Sequence, residues 1–387
     1  RPSSRGSAGA ERVRTLRVLV ISKACVVGSY QKKMEELAAY ADVELTVLVP
    51  PSWRDERGTL VLERAHTRGY ELAVRPLALN GHFHLHFFPG LGRFVAERRP
   101  DIMHIDEEPY NLATWQAVRA AERTGARVVF FTWQNLRRSY PPPFNWMERY
   151  VLSRADHAIT GNQEAVRVWR AKGYRGPITV IPQFGVDPDI YAYREPRARL
   201  EGPFSIGYVG RLIHDKGVDV LLRAAAGLGS EWHLYLLGSG PHEKALRQTA
   251  GALGIAPRVT FLAPLPSTEI PRFMHTLDVL VLPSRTRPNW KEQFGRVLVE
   301  AMSCGVPVIG SDSGEIPSVL GGAGLVFPEE DVEALRAHLT RLRDDPDLRA
   351  GLSAAGRARV MAHYTQARIA AETREVYLQM MGTAPRA

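Results

Sequence analysis

The chain has 387 residues, of which 45% are hydrophobic and 24% charged, and its formal net charge is +9. This composition fits a globular chain of one large or two ordinary domains and excludes collagen-like and intrinsically disordered chains. The 2 cysteines exclude a disulfide scaffold and favour a reducing, cytoplasmic compartment, and no apolar run is long enough for a membrane span.

The first half of the chain predicts one Rossmann-like domain. Residues 1–15 are small, polar and basic, which predicts a disordered tail and not a secretory signal. Short β-rich runs follow and alternate with helical segments such as residues 112–124 and 163–172. The runs are residues 16–22, 43–49, 70–77, 101–106, 127–133, 157–161 and 178–182. Short apolar strands separated by helices predict a parallel sheet covered on both faces, over residues 16–186.

The second half repeats the pattern after an interruption. Residues 187–203 contain three prolines and no clear period, which predicts a linker. Six strand candidates follow, at residues 204–210, 232–238, 258–263, 279–284, 306–311 and 325–328, and a last helix at 366–381. We therefore expect an α/β fold of two doubly wound parallel-sheet domains facing a cleft. The second domain spans residues 204–364, and residues 365–387 return to the first. Ligands of such sheets bind beyond the carboxyl ends of the strands.

The strongest motif is NWKEQFGRVLVEAMSCGVPVIGS, residues 289–311. Glu292 precedes an amphipathic helix, and Glu300 lies about one turn inside it. Free amides near Gly295 and Arg296 at the helix start suit a phosphate. A carboxylate on each side could accept hydrogen bonds from sugar hydroxyls. The alternative is a Glu-capped, solvated helix.

Two glycine-containing turns precede this motif. In GYVGRLIHDKG, residues 207–217, Arg211 and Lys216 offer a guanidinium fork and a point charge to a diphosphate. LLGSGP, residues 236–241, permits a tight turn beside a ligand. The turn at residues 207–217 is neither a Walker loop nor a dinucleotide fingerprint. Taken alone, each also fits an ordinary solvated turn.

In this order the three motifs resemble the second domain of family 4 glycosyltransferases, which are retaining enzymes with the GT-B fold. The resemblance covers nearly all of residues 204–328 and implies roles for individual residues. It implies Gly28, Arg211, Lys216, Gly295 and Arg296 for the donor diphosphate, Glu292, Gln293, Phe294 and Gly295 for the donor sugar, Glu300 for the ribose, and Leu262, Pro264 and Leu265 for the base.

The first half resembles the family more weakly. In DIMHIDEEPY, residues 101–110, His104 matches the first of two histidines that relatives often carry, and Asp106 replaces the second. Asp106 or Glu107 is therefore expected to line the reaction centre together with Glu292. A solvated strand end is the alternative. Other residues on the acceptor side are Trp133, Gln134 and Asn135, which follow a strand and also fit simple packing.

The resemblance implies transfer from a UDP- or GDP-sugar to a hydroxyl acceptor, lipid-linked or a glycan, without metal or cofactor. Arg211, Lys216 and the helix start would stabilise the leaving diphosphate. A sugar-nucleotide epimerase of the same fold and a non-catalytic nucleotide-sugar-binding module are the alternatives. His82, His84 and His86 alternate with Phe83, Leu85 and Phe87, which fits a metal-binding strand face or, as the favoured alternative, an amphipathic loop or helix start beside the acceptor site.

The excess charge lies in the first half. Residues 1–182 contain 27 basic and 18 acidic side chains, whereas the rest is neutral. The excess does not argue for nucleic acid. Basic residues near apolar ones predict peripheral contact with an anionic membrane, at its inner face, through Lys32, Lys33, Arg93, Arg98, Arg99, Phe87, Phe88 and Phe94. The alternative is a solvated basic face.

Overall fold

The computed structural model describes residues 15–55, 58–194, 202–229 and 231–382. The predicted tail, apart from residue 15, and residues 195–201 of the predicted linker lie outside the described residues. Within the described ranges, no helix combines the length and the apolar character needed to cross a membrane.

The first half forms a seven-stranded sheet with helices in its connections. Its elements are β1 (Leu16–Ile21), α1 (Lys32–Ala38), β2 (Val43–Val49), β3 (Ser52–Asp55), β4 (Gly58–Val61), β5 (Glu71–Val74), α2 (Leu91–Arg98), β6 (Ile102–Ile105), α3 (Leu112–Thr124), β7 (Arg127–Thr132), α4 (Phe144–Leu152), β8 (His157–Thr160), α5 (Gln163–Ala171) and β9 (Ile178–Val180). The strand order is β5-β2-β1-β6-β7-β8-β9, and β3 and β4 form a separate antiparallel pair. The interior strand β1 pairs in parallel with β2 and β6.

The second half forms a six-stranded parallel sheet. Its elements are β10 (Phe204–Val209), α6 (Val218–Ala226), β11 (Trp232–Leu237), α7 (Glu243–Ala252), β12 (Val259–Leu262), α8 (Ile270–Met274), β13 (Val279–Leu282), α9 (Arg296–Ser303), β14 (Val308–Ser311), α10 (Ile316–Leu320), β15 (Leu325–Phe327), α11 (Val332–Asp344), α12 (Pro346–His363) and α13 (Gln366–Met381). The order is β12-β11-β10-β13-β14-β15. The predicted class, two parallel-sheet α/β domains, is thus confirmed.

Local sequence signals explain where these elements begin. The strands are rich in Val, Ile and Leu because helices cover both faces of each sheet, and β6, β8, β13 and β14 are buried at every position. Side chains cap several helices: Asn162 accepts from the Ala165 amide at 2.8 Å and starts α5, and Asp345 accepts from the Leu348 amide at 2.9 Å and starts α12.

The chain divides into two compact units that do not coincide with its halves. One unit comprises residues 1–130, 141–157 and 374–387, and the other comprises residues 131–140 and 158–373. The residues that follow β7 and β8 therefore belong to the same unit as the second sheet.

Sequence reasoning missed three features. These are the pair of β3 and β4, the helix α2 and the helix α4, which are not among the predicted elements.

The segment containing His82, His84 and His86 is a loop and not a strand. Its backbone turns, and the His86 amide donates to the His82 carbonyl at 3.0 Å. Among the described residues, no three His, Cys, Asp or Glu side chains come together as a metal site.

Candidate active site

The candidate active site lies beyond the carboxyl ends of β10 and β13. These strands are neighbours, but the chain leaves them in opposite directions, towards β11 and β12 on one side and β14 and β15 on the other. Such a switch point is where α/β sheets bind ligands. Lys216 lies in the connection after β10 and Glu292 in the connection after β13, so the topology brings the two predicted residues together.

Lys216 is carried by a short 3₁₀ turn, His214–Lys216. The turn ends at Gly217, where φ is +64°, and a Cβ at this position would stand 1.9 Å from the carbonyl oxygen of Pro283. Only glycine allows both this conformation and this close approach. The turn therefore packs directly against the residues that follow β13. Arg211, in the same connection, is exposed, and its carbonyl accepts a hydrogen bond from the Tyr208 hydroxyl at 2.7 Å.

Glu292 is the centre of the polar contacts at this point. It is only 8% exposed, and its Oε2 accepts from Lys216 Nζ at 2.5 Å and from Ser284 Oγ at 2.8 Å. Lys216 Nζ also lies 4.9 Å from the ring centroid of Trp290. The carboxylate can accept hydrogen bonds from hydroxyl groups, and the ammonium group beside it can bind phosphate oxygens.

Side chains from two other connections hold the backbone of this segment. Asn135, after β7, donates from Nδ2 to the Glu292 carbonyl at 3.4 Å, and Asn162, after β8, donates to the Gln293 carbonyl at 2.9 Å. Gln293 donates in return from Nε2 to the Trp133 carbonyl at 3.0 Å. All five residues belong to the second unit. Trp133 and Asn135, predicted on the acceptor side, are thus in contact with the predicted donor-sugar segment.

The neighbouring side chains complete this packing. The rings of Trp133 and Phe294 lie 5.7 Å apart at a tilt of 39°. Gln134 bonds outside this segment: its Nε2 donates to the Leu136 carbonyl at 3.0 Å, and its Oε1 accepts from Lys172 Nζ at 3.2 Å. Gln134 is buried, and these two hydrogen bonds satisfy its side-chain amide.

The helix α9 begins at Arg296, directly after Gly295. Arg296 Nε donates to Glu300 Oε1 at 2.9 Å, one turn further along the helix. Burial raises the pKa of Glu300, although Arg296 and a hydrogen bond from Tyr191 act in the opposite direction. The Glu300 carboxylate is therefore mostly buried and already accepts hydrogen bonds from Arg296 and Tyr191.

The predicted base segment begins at Leu262, the last residue of β12, which lies two strands from β10 in the sheet. The Gly238 amide donates to the Leu262 carbonyl at 3.0 Å, while Pro264 and Leu265 are exposed. Gly238 has φ of +143°, and a Cβ there would lie 1.9 Å from the Gly210 carbonyl oxygen. Gly238 therefore lets the ends of β11 and β10 approach each other, and this packing role needs no ligand.

The first unit has its own switch point, between β1 and β6. Asp106 Oδ2 accepts from Ser22 Oγ at 2.5 Å, and Glu107 pairs with Lys23 and lies 3.6 Å from His86 Nε2. Burial alone would raise the pKa of Glu107, but Lys23 and His86 outweigh it and lower that pKa to about 2. Glu107 is therefore ionised at neutral pH, and its catalytic role, like that of Asp106, stays a prediction.

Two further predicted residues of the first unit make internal contacts. His104 is buried, its Nδ1 lies 2.7 Å from the Tyr377 hydroxyl of α13, and burial lowers its pKa well below the usual value. Gly28 donates its amide to Glu63 Oε2 at 2.6 Å, and a Cβ at Gly28 would stand 2.7 Å from that oxygen. This contact accounts for the glycine, so its role towards a diphosphate stays a prediction.

The proposed membrane-facing surface needs correction. Lys33, Phe88 and Phe94 are only 3%, 2% and 4% exposed, so they form part of the interior and cannot contact lipid in this fold. Lys32 and Arg98 are paired with glutamates. The prediction of a basic and aromatic surface is wrong for Lys33, Phe88 and Phe94, because proximity in the sequence does not reveal which side chains the fold buries.

Sequence reasoning also missed several residues at the site. Ser284 and Trp290 contact the Lys216–Glu292 pair, and Asn162 binds the backbone beside it. Asn162 carried a recognisable signal, since asparagine just before a helical segment is a typical N-cap. Ser284 and Trp290 carried none, because their importance depends on the partner that the fold places beside them.

Comparisons with known proteins show which families and structures this chain resembles. Residues 28–183 match the family model described as glycosyl transferase 4-like domain, and residues 189–359 match the one described as glycosyl transferases group 1. A GDP-mannose-dependent alpha-(1-6)-phosphatidylinositol monomannoside mannosyltransferase of Mycolicibacterium smegmatis is 34% identical over 187 residues, 45% of this chain and 49% of that protein. A 2-deoxystreptamine N-acetyl-D-glucosaminyltransferase of Streptomyces fradiae is 29% identical, over 61% of each chain.

The chain thus spans about half of the length of the curated relatives it matches. Among solved structures, the sucrose-phosphate synthase of Thermosynechococcus elongatus superposes with a TM-score of 0.70 at 20% identity, covering 95% of this chain and 100% of that one. The Anabaena protein HepE in complex with UDP gives 0.72 at 19% identity, covering 94% and 100%. At such identities the structural likeness establishes the fold.

Proposed function

This chain belongs to the family 4 glycosyltransferases, with the GT-B fold, and we therefore propose that it transfers a sugar from a nucleotide-diphosphate sugar to a hydroxyl acceptor. The observation that carries the proposal is the Lys216–Glu292 pair at the switch point of the second sheet, with Ser284 bound to the same carboxylate. A cation for the diphosphate and a carboxylate for sugar hydroxyls are the two groups that a nucleotide sugar requires at its reacting end.

The donor in this proposal is a UDP- or a GDP-sugar. The relatives support both, since one is GDP-mannose-dependent by name and the HepE complex contains UDP. Arg211, Lys216 and the amides at Gly295 and Arg296 would bind the diphosphate, Glu292 to Gly295 the sugar, Glu300 the ribose, and Leu262, Pro264 and Leu265 the base. The acceptor is a hydroxyl group on a glycan or on a lipid-linked molecule, with Asp106, Glu107 and His104 on its side.

The proposed chemistry proceeds with retention. The bond between the anomeric carbon and the β-phosphate oxygen breaks, and the acceptor oxygen bonds to the same face of that carbon. The acceptor proton passes to the departing phosphate oxygen. Charge develops on the diphosphate in the transition state, so preorganised cations and amides near it lower the barrier. We propose that Lys216, Arg211 and the start of α9 supply this stabilisation, and that no metal is required.

The test is a donor screen followed by product analysis. Binding of a nucleotide sugar stabilises a folded protein by RT ln(1 + [L]/Kd), so thermal unfolding with UDP, GDP, UDP-glucose and GDP-mannose reveals the donor class. The stabilising donor is then incubated with candidate glycan and lipid acceptors, and products are identified by mass spectrometry. NMR of the new glycosidic bond reports retention.

Each outcome bears on a separate part of the proposal. If no nucleotide or nucleotide sugar raises the unfolding temperature, the donor assignment is wrong. If a donor binds and its sugar is isomerised without transfer, the protein is an epimerase of the same fold. If the donor binds and remains intact with every acceptor, the protein is a nucleotide-sugar-binding module.

A further inference from the structure

Arg285, which follows Ser284 after β13, forms the centre of a buried ion cluster beside the candidate site. It is only 3% exposed, and its guanidinium contacts two carboxylates from different parts of the second unit. Nη2 donates to Asp219 Oδ2 at 2.7 Å and to Glu330 Oε2 at 3.0 Å, and Nε donates to Glu330 Oε1. Asp219 belongs to α6, and Glu330 follows β15.

Arg285 also holds the turn that carries Lys216. Its backbone amide donates to the Asp215 carbonyl at 2.8 Å, and Nη1 donates to the His214 carbonyl at 2.9 Å. Two of the three residues of the turn are therefore bonded to this one arginine. Because Ser284 precedes Arg285 and donates to Glu292, a single dipeptide contacts both the Lys216 turn and the Glu292 carboxylate.

Most of the N–H groups of Arg285 are already bonded within the protein. A guanidinium has five N–H groups. Nε donates to Glu330, Nη2 donates to Asp219 and Glu330, and Nη1 donates to the His214 carbonyl. Nη1 also lies 2.7 Å from Asp219 Oδ1 as an ion pair. The two carboxylates also outweigh its single charge. Arg285 is thus unsuited to bind a diphosphate itself, although it lies next to residues that suit one.

The partner Glu330 has a strained backbone. Its φ is +66°, in the left-handed region, although it is not a glycine and its side chain is about half exposed. Such conformations cost free energy and persist where surrounding contacts hold them, often near functional sites. The neighbouring Glu329 bonds through Oε2 to the Thr286 amide at 2.5 Å, so the loop after β15 is bound to both residues that follow Ser284.

From these contacts we infer that Arg285 is a positioning residue for donor binding, which sets the separation of Lys216 and Glu292 through the His214–Lys216 turn. The inference rests on the proposed function, because it assigns Lys216 to the diphosphate. A lysine side chain ends in a flexible ammonium group with three N–H donors, so lysine at position 285 cannot reproduce the four hydrogen bonds that the planar guanidinium makes. The Lys216 turn would then shift relative to Glu292.

The test measures UDP, UMP, GDP and GMP binding to Arg285→Lys by isothermal titration calorimetry. Because the defect concerns only the diphosphate contact, we expect about tenfold or more weaker binding of the nucleoside diphosphate that the wild type prefers, with its monophosphate within about threefold. Arg349→Lys is the matched control. Arg349 is 2% exposed and donates to the Leu342 and Arg343 carbonyls at 2.5 and 2.9 Å, so it tests the loss of an equally buried arginine.

A double variant tests whether Arg285 acts through Lys216. If it does, Arg285→Lys changes diphosphate affinity by less than about twofold in a Lys216→Met background, because the contact it positions is already absent. Glu330→Gln, which keeps Arg285 and alters a half-exposed side chain, serves if Arg285→Lys does not fold. It should weaken the same diphosphate selectively, by a smaller factor.

Three results overturn the inference. The first is that Arg285→Lys weakens monophosphate and diphosphate binding equally. The second is that Arg285→Lys causes its full loss of diphosphate affinity in the Lys216→Met background. The third is that Arg285→Lys and Glu330→Gln both bind nucleotides like the wild type. A wild-type protein that binds neither UDP nor GDP would overturn the proposed function itself and the inference with it. The two failures are therefore distinguishable in one set of titrations.

Discussion

Replacing Glu292 by glutamine should separate sugar transfer from nucleotide binding, with opposite effects on the two. Glu292 Oε2 lies 2.5 Å from Lys216 Nζ, so a diphosphate bound to Lys216 would lie within roughly 5 Å of the carboxylate. Two unit charges at that separation repel by about 3 kcal/mol at an effective dielectric constant near 20. The variant removes this repulsion and releases Lys216 from its partner.

The net gain is smaller than the gross repulsion. Lys216 loses the partner that orders it, and its side chain is 18% exposed, so solvent screens part of the interaction. We therefore expect UDP or GDP to bind more tightly by about 1 kcal/mol, or about fivefold. Transfer should fall by about 10- to 100-fold, because a hydrogen bond to a charged acceptor is worth about 1.5–3 kcal/mol.

The assays are calorimetric titration with nucleoside diphosphate and product formation followed by mass spectrometry. Glu333→Gln on α11 is the control, since it removes the same charge from an exposed ion pair with Arg336. It should leave both measurements unchanged. Weaker nucleotide binding by Glu292→Gln, or unchanged turnover, would refute the assignment of Lys216 and Glu292 to adjacent parts of one donor.

Three other expectations concern the fold and the chemistry. Gly238→Ala should lower the free energy of unfolding by about 2 kcal/mol or more, since φ is +143° and the new Cβ would meet the Gly210 carbonyl, and thermal denaturation measures the loss. Glu107 has a lowered pKa, so its contribution is present above the usual pKa of 4.5 and is lost as pH falls towards about 2. The stability difference between wild type and Glu107→Gln should therefore shrink by about half or more from pH 7 to pH 3 in denaturant titrations, and a constant difference would remove that carboxylate as the cause. Transfer should persist in excess EDTA, and activity restored only by added Mg²⁺ or Mn²⁺ would overturn the metal-independent mechanism.

The alternation of apolar strands and helices was readable from the sequence because both faces of each sheet are covered. Runs such as LRVLVI and VLVL are then largely apolar, with the exposed Arg17 as the exception in β1, and β1 and β13 occur where such runs predict them. The antiparallel pair of β3 and β4 was missed because SWRD and GTLV are partly exposed and mix polar with apolar residues. A short exposed strand has no pattern that distinguishes it from a loop.

The sequence by itself determined the fold class, the family and the residue types of the candidate site, since these depend on local periodicity and on motifs within short stretches. Only the tertiary structure decided which residues meet. Lys216 and Glu292 are 76 residues apart and become partners because β10 and β13 are neighbours. Arg285 and Glu330 carried no motif, and Lys33 and Phe88 looked like surface residues. Burial and pairing depend on contacts between distant segments, which only the packed chain defines.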